Sequence, residues 1–186
     1  MTGWRHQRTG RLWLDAPQDE DLADLHSIHA DPASWIHLPQ GRHVHLATTR
    51  ELLDRQQGRW DERGLGYWVV REHDGGPVVG LGGCAWRQGW PGWNLAYRLA
   101  HHVQGRGYAG ELGRAALAAA AAVAPDRPVV AYLLEHNHAS RRTTERLGLT
   151  RQWRGPDAGN EDPRAVRLVY ADRPLAEDLL ARVVAG

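Results

Sequence analysis

The pattern of apolar and polar positions predicts a mixed series of strands and helices. Short stretches in which apolar residues alternate or run together predict six strands, at residues 11–16, 67–72, 78–86, 93–99, 129–135 and 165–171. Longer stretches with helical spacing predict helices at residues 19–30, 45–63, 108–124 and 139–147, with a short helix after Pro174. This order predicts an α/β fold, with a mixed sheet and helices on both of its faces.

Length and composition favour one ordinary domain. The 186 residues contain no internal repeat, linker or low-complexity segment, so we expect residues 1–186 to form a single domain. The net charge of +1, without a long basic run, gives no electrostatic reason to expect a nucleic-acid partner. The single cysteine, Cys84, excludes an intramolecular disulfide framework. No stretch has the length and flanks of a signal peptide or membrane span, so we expect a cytoplasmic protein without a membrane partner.

The most informative segment is Gln104-Gly105-Arg106-Gly107-Tyr108-Ala109, which lies between a predicted strand and an alanine-rich helix. Its small residues let backbone N–H groups approach a ligand closely. The following helix directs the positive end of its dipole at the same place. The segment therefore predicts an anion cradle that suits a pyrophosphate.

Two classes of ligand fit this cradle. Gly105, Gly107 and Gly110 have the G-x-G-x-x-G spacing of dinucleotide-binding folds, and Glu135 supplies an acidic residue after the next strand. That motif usually follows directly on an apolar strand, whereas residues 100–104 are largely polar. A nicotinamide or flavin oxidoreductase therefore stays an alternative, though the weaker one.

The same segment resembles motif A of the GNAT superfamily of acyl-CoA-dependent N-acetyltransferases, Gln/Arg-x-x-Gly-x-Gly/Ala. Gln104, Gly107 and Ala109 match it. One strand later, Asn137-His138-Ala139-Ser140 resembles the Asn-x-x-Ser that opens the next helix in this family, and Leu147-Gly148-Leu149 closes that helix. The chain is most similar to the ribosomal-protein N-terminal acetyltransferase (RimJ/RimL-like) branch.

This resemblance implies a fold and a cosubstrate. The GNAT sheet, of about six or seven strands here, splays apart between the strands that precede the two motifs, and the gap admits the pantetheine arm of acetyl-CoA. The backbone of Leu99, Ala100 and Val103 is implied to bind the pantetheine, and Asn137 to bind a cofactor amide or order a water. The pyrophosphate is implied to lie on Gln104, Gly105, Arg106, Gly107, Tyr108 and Ala109.

The resemblance also implies direct attack of a primary amine on the thioester in a ternary complex. The departing thiolate needs a proton. The family's usual acid is a tyrosine seven residues after the motif asparagine, but this chain has Thr144 there. Ser140 is the replacement implied by the N-terminal acetyltransferase branch, where a serine at this place lies near the sulfur. A serine that opens a helix is also a natural N-cap, so capping is the alternative role.

The general base is less well defined. The related branch often has a glutamate where this chain has Asn94, which accepts no proton at neutral pH. The candidate bases are therefore a water relay, with Glu135 as the first side chain to consider, or one of Glu72, His73 and His136. Tyr97 either lines the acceptor site or packs in the core. No set of ligands completes the paired histidines, so we expect no metal.

The acceptor is left open by the sequence, between a peptide or protein N-terminus and a small-molecule amine. A non-catalytic acyl-CoA-binding or regulatory module is the alternative to an enzyme, because Thr144 and Asn94 replace the usual acid and base. The resemblance also makes a homodimer an expectation to test.

Overall fold

The computed structural model describes residues 3–90, 92–158 and 160–185. In these ranges eight strands form one sheet in the spatial order β1-β2-β3-β4-β5-β6-β8-β7. The strands are β1 (His6–Arg8), β2 (Trp13–Asp15), β3 (Trp68–Arg71), β4 (Gly80–Trp86), β5 (Trp93–Leu99), β6 (Val129–Leu134), β7 (Thr150–Pro156) and β8 (Val166–Ala171). The helices are α1 (Leu22–Ala30), α2 (Leu46–Arg63), α3 (Tyr108–Val123), α4 (His138–Arg146) and α5 (Glu177–Ala185).

The predicted α/β class is confirmed, and the sheet is larger than the expected six or seven strands. The two strands that the sequence pattern missed, β1 and β7, lie at opposite edges of the sheet. Both are mostly polar and largely exposed. An edge strand is held by backbone pairing with one neighbour, so it does not need the apolar alternation on which the prediction relied.

The helices pack on both faces of the sheet. On β5, Tyr97 contacts Ser140 of α4, whereas the next residue, Arg98, contacts Ser34 in the turn that follows α1. Successive residues of a strand point to opposite faces, so α4 and the segment after α1 lie on different sides. Helix α3 packs against α4, β4 and β5, and α1 packs against α2. This sandwich buries one large core that includes Leu12, Trp60, Trp68, Trp93, Leu112 and Leu168.

The sheet opens between β5 and β6. These strands pair in parallel only at Trp93 with Val129 and at Asn94 with Val130. Beyond that point β5 continues to Leu99 and β6 to Leu134 without further pairing to each other. On its other side each strand has a long antiparallel partner, β4 for β5 and β8 for β6. The predicted splay between the two motif-bearing strands is therefore confirmed.

Gly82 lets β4 and β5 pack closely beside this opening. A Cβ atom at Gly82 would lie 2.6 Å from the Tyr97 Cβ and 2.8 Å from the Ala96 carbonyl oxygen. We expect Gly82→Ala to lower the free energy of unfolding by about 2–3 kcal/mol, because the strand backbones must move apart. Urea denaturation measures this change. Gly58→Ala on α2 is the control, since nothing lies within 4 Å of its Cβ position and alanine favours helix; equal stability losses in the two variants would contradict the prediction.

Candidate active site

The gap between β5 and β6 forms a crevice of about 170 Å³. Its walls come from both strands, from α4, from the segment after α1 and from β8. They include His37, Leu38, Tyr97, Arg98, Leu134, Asn137, Ser140, Thr144 and Arg167. A wider cavity of about 650 Å³ adjoins it and shares His37, Leu38 and Leu134 with it. The wider cavity is lined mainly by residues 36–40 and by polar residues between Asn160 and Arg164.

The predicted pantetheine ligands lie at the end of β5 and in the turn that follows it. The Ala100 N–H donates to the Val79 carbonyl oxygen at 2.9 Å, and the Val103 N–H donates to the Ala100 carbonyl oxygen at 3.1 Å. Because hydrogen-bonding directions alternate along a strand, the N–H and C=O of Leu99 turn away from β4. The Gln104 amide donates to the Leu99 carbonyl oxygen at 3.1 Å. Of the three predicted backbone ligands, Leu99 directs its N–H away from β4, although its carbonyl is engaged by Gln104. Ala100 and Val103 use their N–H groups within the protein.

The predicted anion cradle lies at the N-terminus of α3. Gly105 and Gly107 adopt φ values of 79° and 82°, which glycine reaches without strain. Gly107 is the N-cap residue, so the first N–H groups of the helix, from Tyr108 onward, point out of its end. A Cβ atom at Gly105 would meet no atom within 4 Å, so the space above the loop is open. The segment 104–109 therefore has the geometry to bind an anion.

The arginines at this cradle already have carboxylate partners. Arg106 contacts Glu72 at 2.9 Å, and Arg11 contacts Glu111 at 2.8 Å. The Tyr108 hydroxyl donates to Glu72 at 2.6 Å. The hydrogen bond from Tyr108, together with the charge of Arg106, lowers the pKa of Glu72. Glu72 is thus an ionised anchor beside the cradle, and the side chain of Tyr108 is buried rather than open to a ligand.

A phenol and a serine hydroxyl meet in the crevice. The Tyr97 hydroxyl lies 3.2 Å from Ser140 Oγ. Burial raises the pKa of Tyr97, although hydrogen bonds with Ser140, Thr143 and Thr144 oppose that effect. The N-cap of α4 is Asn137, whose side-chain oxygen accepts a hydrogen bond from the Ser140 N–H at 3.2 Å. Capping is therefore performed by Asn137, and the Ser140 hydroxyl contacts the Tyr97 hydroxyl.

The candidate bases are dispersed. Glu135 receives two hydrogen bonds from Arg154, at 2.7 and 2.9 Å. The hydrogen bonds from Arg154, together with its charge, lower the pKa of Glu135. His136 Nε2 donates to the His37 carbonyl oxygen at 2.8 Å and lines the wider cavity. His73 lies in the loop between β3 and β4 and contacts the Asp74 carbonyl oxygen. The four candidate bases are Glu72, His73, Glu135 and His136. The structure brings none of them into contact with Ser140.

Asn94 and Tyr67 bind each other. The Asn94 amide donates to the Tyr67 hydroxyl at 2.5 Å. Burial raises the pKa of Tyr67 to about 12, so its phenol stays protonated at neutral pH. Neither group is placed to take a proton at neutral pH. Asn94 therefore offers no substitute for the glutamate of the related branch.

His37, Arg98 and Arg167 line the crevice but were not among the predicted site residues. His37 lines both cavities, and burial, aided by Arg98 and His136, lowers its pKa to about 4. Its ring is therefore neutral at physiological pH. Arg98 was detectable from sequence, as a charged residue inside a strand otherwise rich in apolar residues. His37 carried no such pattern, since it lies in irregular chain.

Across residues 3–90, 92–158 and 160–185, the structure contains no group of three or more His, Cys, Asp or Glu side chains that could hold a metal ion. Cys84 is fully buried, and burial raises the pKa of its thiol. Within the same ranges, none of the helices has both the length and the apolar character needed to cross a membrane.

Comparison with known proteins agrees with this geometry. Residues 11–150 match the model of the acetyltransferase (GNAT) domain. The acetyltransferase from Agrobacterium tumefaciens str. C58 is 25% identical, with a TM-score of 0.71 over 89% of this chain and 93% of that one. A GNAT-family acetyltransferase from Bacillus anthracis is 17% identical, with a TM-score of 0.74 over 89% and 96% of the two chains. RimL, a ribosomal L7/L12 alpha-N-protein acetyltransferase solved with coenzyme A, is 18% identical, with a TM-score of 0.73 over 92% and 97%. The family match spans most of the chain and includes both the cradle and the Asn137 to Ser140 segment, and the protein therefore belongs to the GNAT acetyltransferase family.

Proposed function

We propose that this protein is an acetyl-CoA-dependent N-acetyltransferase that transfers an acetyl group to a primary amine. The observation that carries the proposal is the arrangement along β5. The open edge of this strand borders the crevice, and the chain after its last residue forms the cradle at the N-terminus of α3. An extended thioester with a pyrophosphate at one end matches that layout. The coenzyme A bound in the RimL structure supports the choice of cosubstrate.

The bound acetyl-CoA would be held at three places. Its pyrophosphate would accept hydrogen bonds from N–H groups of the 104–109 segment, without needing a free arginine. Its pantetheine would pair with the open edge of β5 at Leu99, as an added strand pairs with a sheet edge. Its thioester would then lie near Ser140, with Asn137 beside it on the first turn of α4.

The transfer needs a neutral amine, an acid and a base, but no covalent enzyme intermediate. The amine nitrogen bonds to the thioester carbon, and the carbon–sulfur bond breaks. Ser140 gives its proton to the thiolate and takes one from Tyr97 across their contact. The resulting phenolate, whose pKa is raised by burial, regains a proton from bulk water before the next turnover. In this chain, Tyr97 from β5 thus takes the place of the tyrosine that relatives carry on the helix, where Thr144 stands.

We propose that water carries the amine proton to bulk solvent. The wider cavity shares His37, Leu38 and Leu134 with the crevice, and His37, His136 and its other polar lining groups can hold such a water chain. Glu135 stays a prediction for the base, although its ion pair with Arg154 would have to open first. The acceptor is proposed to be a peptide N-terminus or a small amine.

Calorimetric titration followed by an amine screen tests this function. Acetyl-CoA, free CoA and NAD are titrated into the purified protein, and thiol release is then measured with peptide and small-molecule amines. We expect binding of both CoA forms, no binding of NAD and turnover with at least one amine. CoA binding without turnover would favour the non-catalytic module, and folded protein that binds neither CoA form would contradict the proposal.

A glycine substitution tests the cradle itself. Gly105→Ala is expected to weaken acetyl-CoA binding by about tenfold, because a left-handed backbone costs alanine about 1 kcal/mol or more and the loop N–H groups move. Gly89→Ala is the matched control, since Gly89 also has a positive φ of 83° and open space at its Cβ. Calorimetry should find unchanged affinity in that control. Equal losses of affinity in both variants would show that backbone strain alone explains the effect.

A further inference from the structure

Arg98 carries a charge that nothing in the crevice neutralises. It lies within β5, between Tyr97 and Leu99, and lines the crevice directly. Its guanidinium packs over the Trp35 ring, 3.3 Å from the ring centroid, and donates a hydrogen bond to the Ser34 carbonyl oxygen. Among the described residues it forms no ion pair with a carboxylate. The cost of burying a charge is normally offset by a partner of opposite charge.

A second arginine in the same crevice, Arg167, has its charge neutralised by a carboxylate. Arg167 on β8 makes two hydrogen bonds with Asp157, both 2.7 Å long. It also packs over the Tyr132 ring, at 4.0 Å from the centroid. Both arginines therefore stack on an aromatic ring at the wall of one cavity, but only Arg167 has a carboxylate partner in the described chain. A ligand that enters the crevice meets Arg98 as an unpaired cation.

The groups around Arg98 leave its charge unopposed. His29, His37 and His43 lie nearby, and burial, together with the charge of Arg98, lowers the pKa of each. For His29 the pKa falls to about 3. All three rings are therefore neutral at physiological pH, and they supply no negative charge. Burial lowers the pKa of Arg98 itself to about 10, which leaves the guanidinium protonated.

The position of Arg98 points to the acceptor rather than to the cosubstrate. The pyrophosphate of acetyl-CoA would lie at the cradle of residues 104–109, and the pantetheine arm that would follow β5 is uncharged. Tyr97 reaches α4 on one face of the sheet, whereas Arg98 reaches the segment after α1 on the other face. Residues 36–38 of that segment also line the wider cavity through which an acceptor would enter.

We infer that the amine acceptor carries a carboxylate and that Arg98 binds it, which makes Arg98 the specificity-determining residue of the acceptor site. This inference rests on the proposed acetyltransferase function. A guanidinium fits a carboxylate with two parallel hydrogen bonds and holds it in a defined orientation. The ion pair would form inside the crevice, where it is screened less than at the surface. An acidic side chain close to a peptide N-terminus, or the carboxylate of an amino acid, has this chemistry.

Matched amine pairs test the inference. The peptide amides Ala-Asp and Ala-Asn, the pair Ala-Glu and Ala-Gln, and 4-aminobutyrate with its amide each differ by one carboxylate. Initial rates of CoA release are measured at saturating acetyl-CoA. We expect at least one carboxylate-bearing amine to exceed its amide by about tenfold in kcat/KM, the size of one charge-assisted hydrogen bond. Arg98→Met, which keeps an apolar stem over Trp35, should abolish that preference, and Arg98→Lys should retain part of it.

Two controls separate this role from a structural one. The KM for acetyl-CoA should stay unchanged in both Arg98 variants. Arg182→Met on α5, which removes one positive charge at an exposed position, should keep the full preference. A rise in the KM for acetyl-CoA without a change in preference would assign Arg98 to the cosubstrate and overturn the inference. Equal rates for every carboxylate and amide pair in the native protein would also overturn it, while leaving the acetyltransferase function intact.

A binding measurement tests the inference in two further cases. In the first, the Arg98→Met variant folds poorly; in the second, the native protein acetylates none of the tested amines. The CoA-loaded native protein is titrated with the N-acetylated carboxylate and amide of each of the three pairs, and Arg98→Lys is titrated alongside. Tighter binding of at least one carboxylate to the native protein, weakened in Arg98→Lys, supports the inference. Equal binding within all three pairs contradicts it. The absence of turnover with every amine, by contrast, counts against the proposed function itself.

Discussion

Tyr97→Phe is expected to lower kcat for acetyl transfer by about 100-fold, the lower end of the usual contribution of a general acid. The change removes one oxygen atom, 3.2 Å from Ser140 Oγ, and leaves the ring that packs against the core. Without the phenol, Ser140 cannot be reprotonated as it gives its proton to the thiolate. The effect should lie mainly in kcat, because the phenol acts while the carbon–sulfur bond breaks. Steady-state kinetics at saturating acetyl-CoA measure it.

Ser140→Ala provides a second measure of the same proton path. If the two hydroxyls act in series, the double variant should be no slower than the slower single variant, because either loss interrupts one path. Tyr170→Phe is the matched control, since it removes a phenol oxygen that contacts Glu145, away from the crevice. Its kcat should match that of the native protein. A Tyr97→Phe enzyme within twofold of the native kcat would exclude this path.

Asp157→Ala is expected to lower the free energy of unfolding by about 3 kcal/mol, because it leaves Arg167 as a buried charge without its partner. The carboxylate is almost fully buried, with 4% of its side chain exposed, and the guanidinium has 12% exposed. Asp157 also accepts a hydrogen bond from the Asn160 amide at 2.7 Å, so the loop before β8 depends on it. Chemical denaturation measures the loss. Asp61→Ala, which breaks an exposed ion pair with Arg5, should cost less than about 1 kcal/mol.

The pH dependence of this difference gives an independent check. Burial raises the pKa of Asp157, but the hydrogen bond from Arg167 and the further contacts outweigh it and lower the pKa overall. A carboxyl group with a lowered pKa stabilises the folded state above its ordinary pKa, and this contribution is lost as the pH falls through the lowered value. The stability gap between native and Asp157→Ala proteins should therefore be constant from neutral pH down to about 5 and shrink below about 4. A gap that widens in acid would contradict the assigned direction.

Most of the architecture followed from local pattern. The strand at residues 93–99 agrees with β5 in both bounds, and the predicted helix at 108–124 differs from α3 by one residue. Both have a strong apolar periodicity and clear end residues. The strands β1 and β7 were missed because their residues are mostly polar and exposed, so they lack the apolar alternation that marks a half-buried strand. The first predicted helix begins instead as a tight 3-10 turn at Asp19–Asp21 before α1.

The candidate site likewise has a part that the local sequence predicted and a part that depends on contacts between distant residues. The anion cradle depends on two glycines and the helix that follows them, which are adjacent in sequence, so the motif alone predicted its place and its geometry. The contact of Tyr97 with Ser140 joins residues 43 positions apart, and the ion pair that engages Glu135 joins it to Arg154. No spacing rule reaches across such separations, because a side-chain contact depends on how strands and helices pack.

The sequence by itself determined the α/β class, the family resemblance and the position of the cradle, since each depends on periodicity or on a short motif with local backbone geometry. Only the tertiary structure decided which polar groups share the crevice and which are neutralised. It gave Arg167 a carboxylate partner and left Arg98 with none among the residues that the structure describes. Both are arginines in buried strands, and the difference arises because charge pairing is set by distance in three dimensions rather than by order along the chain.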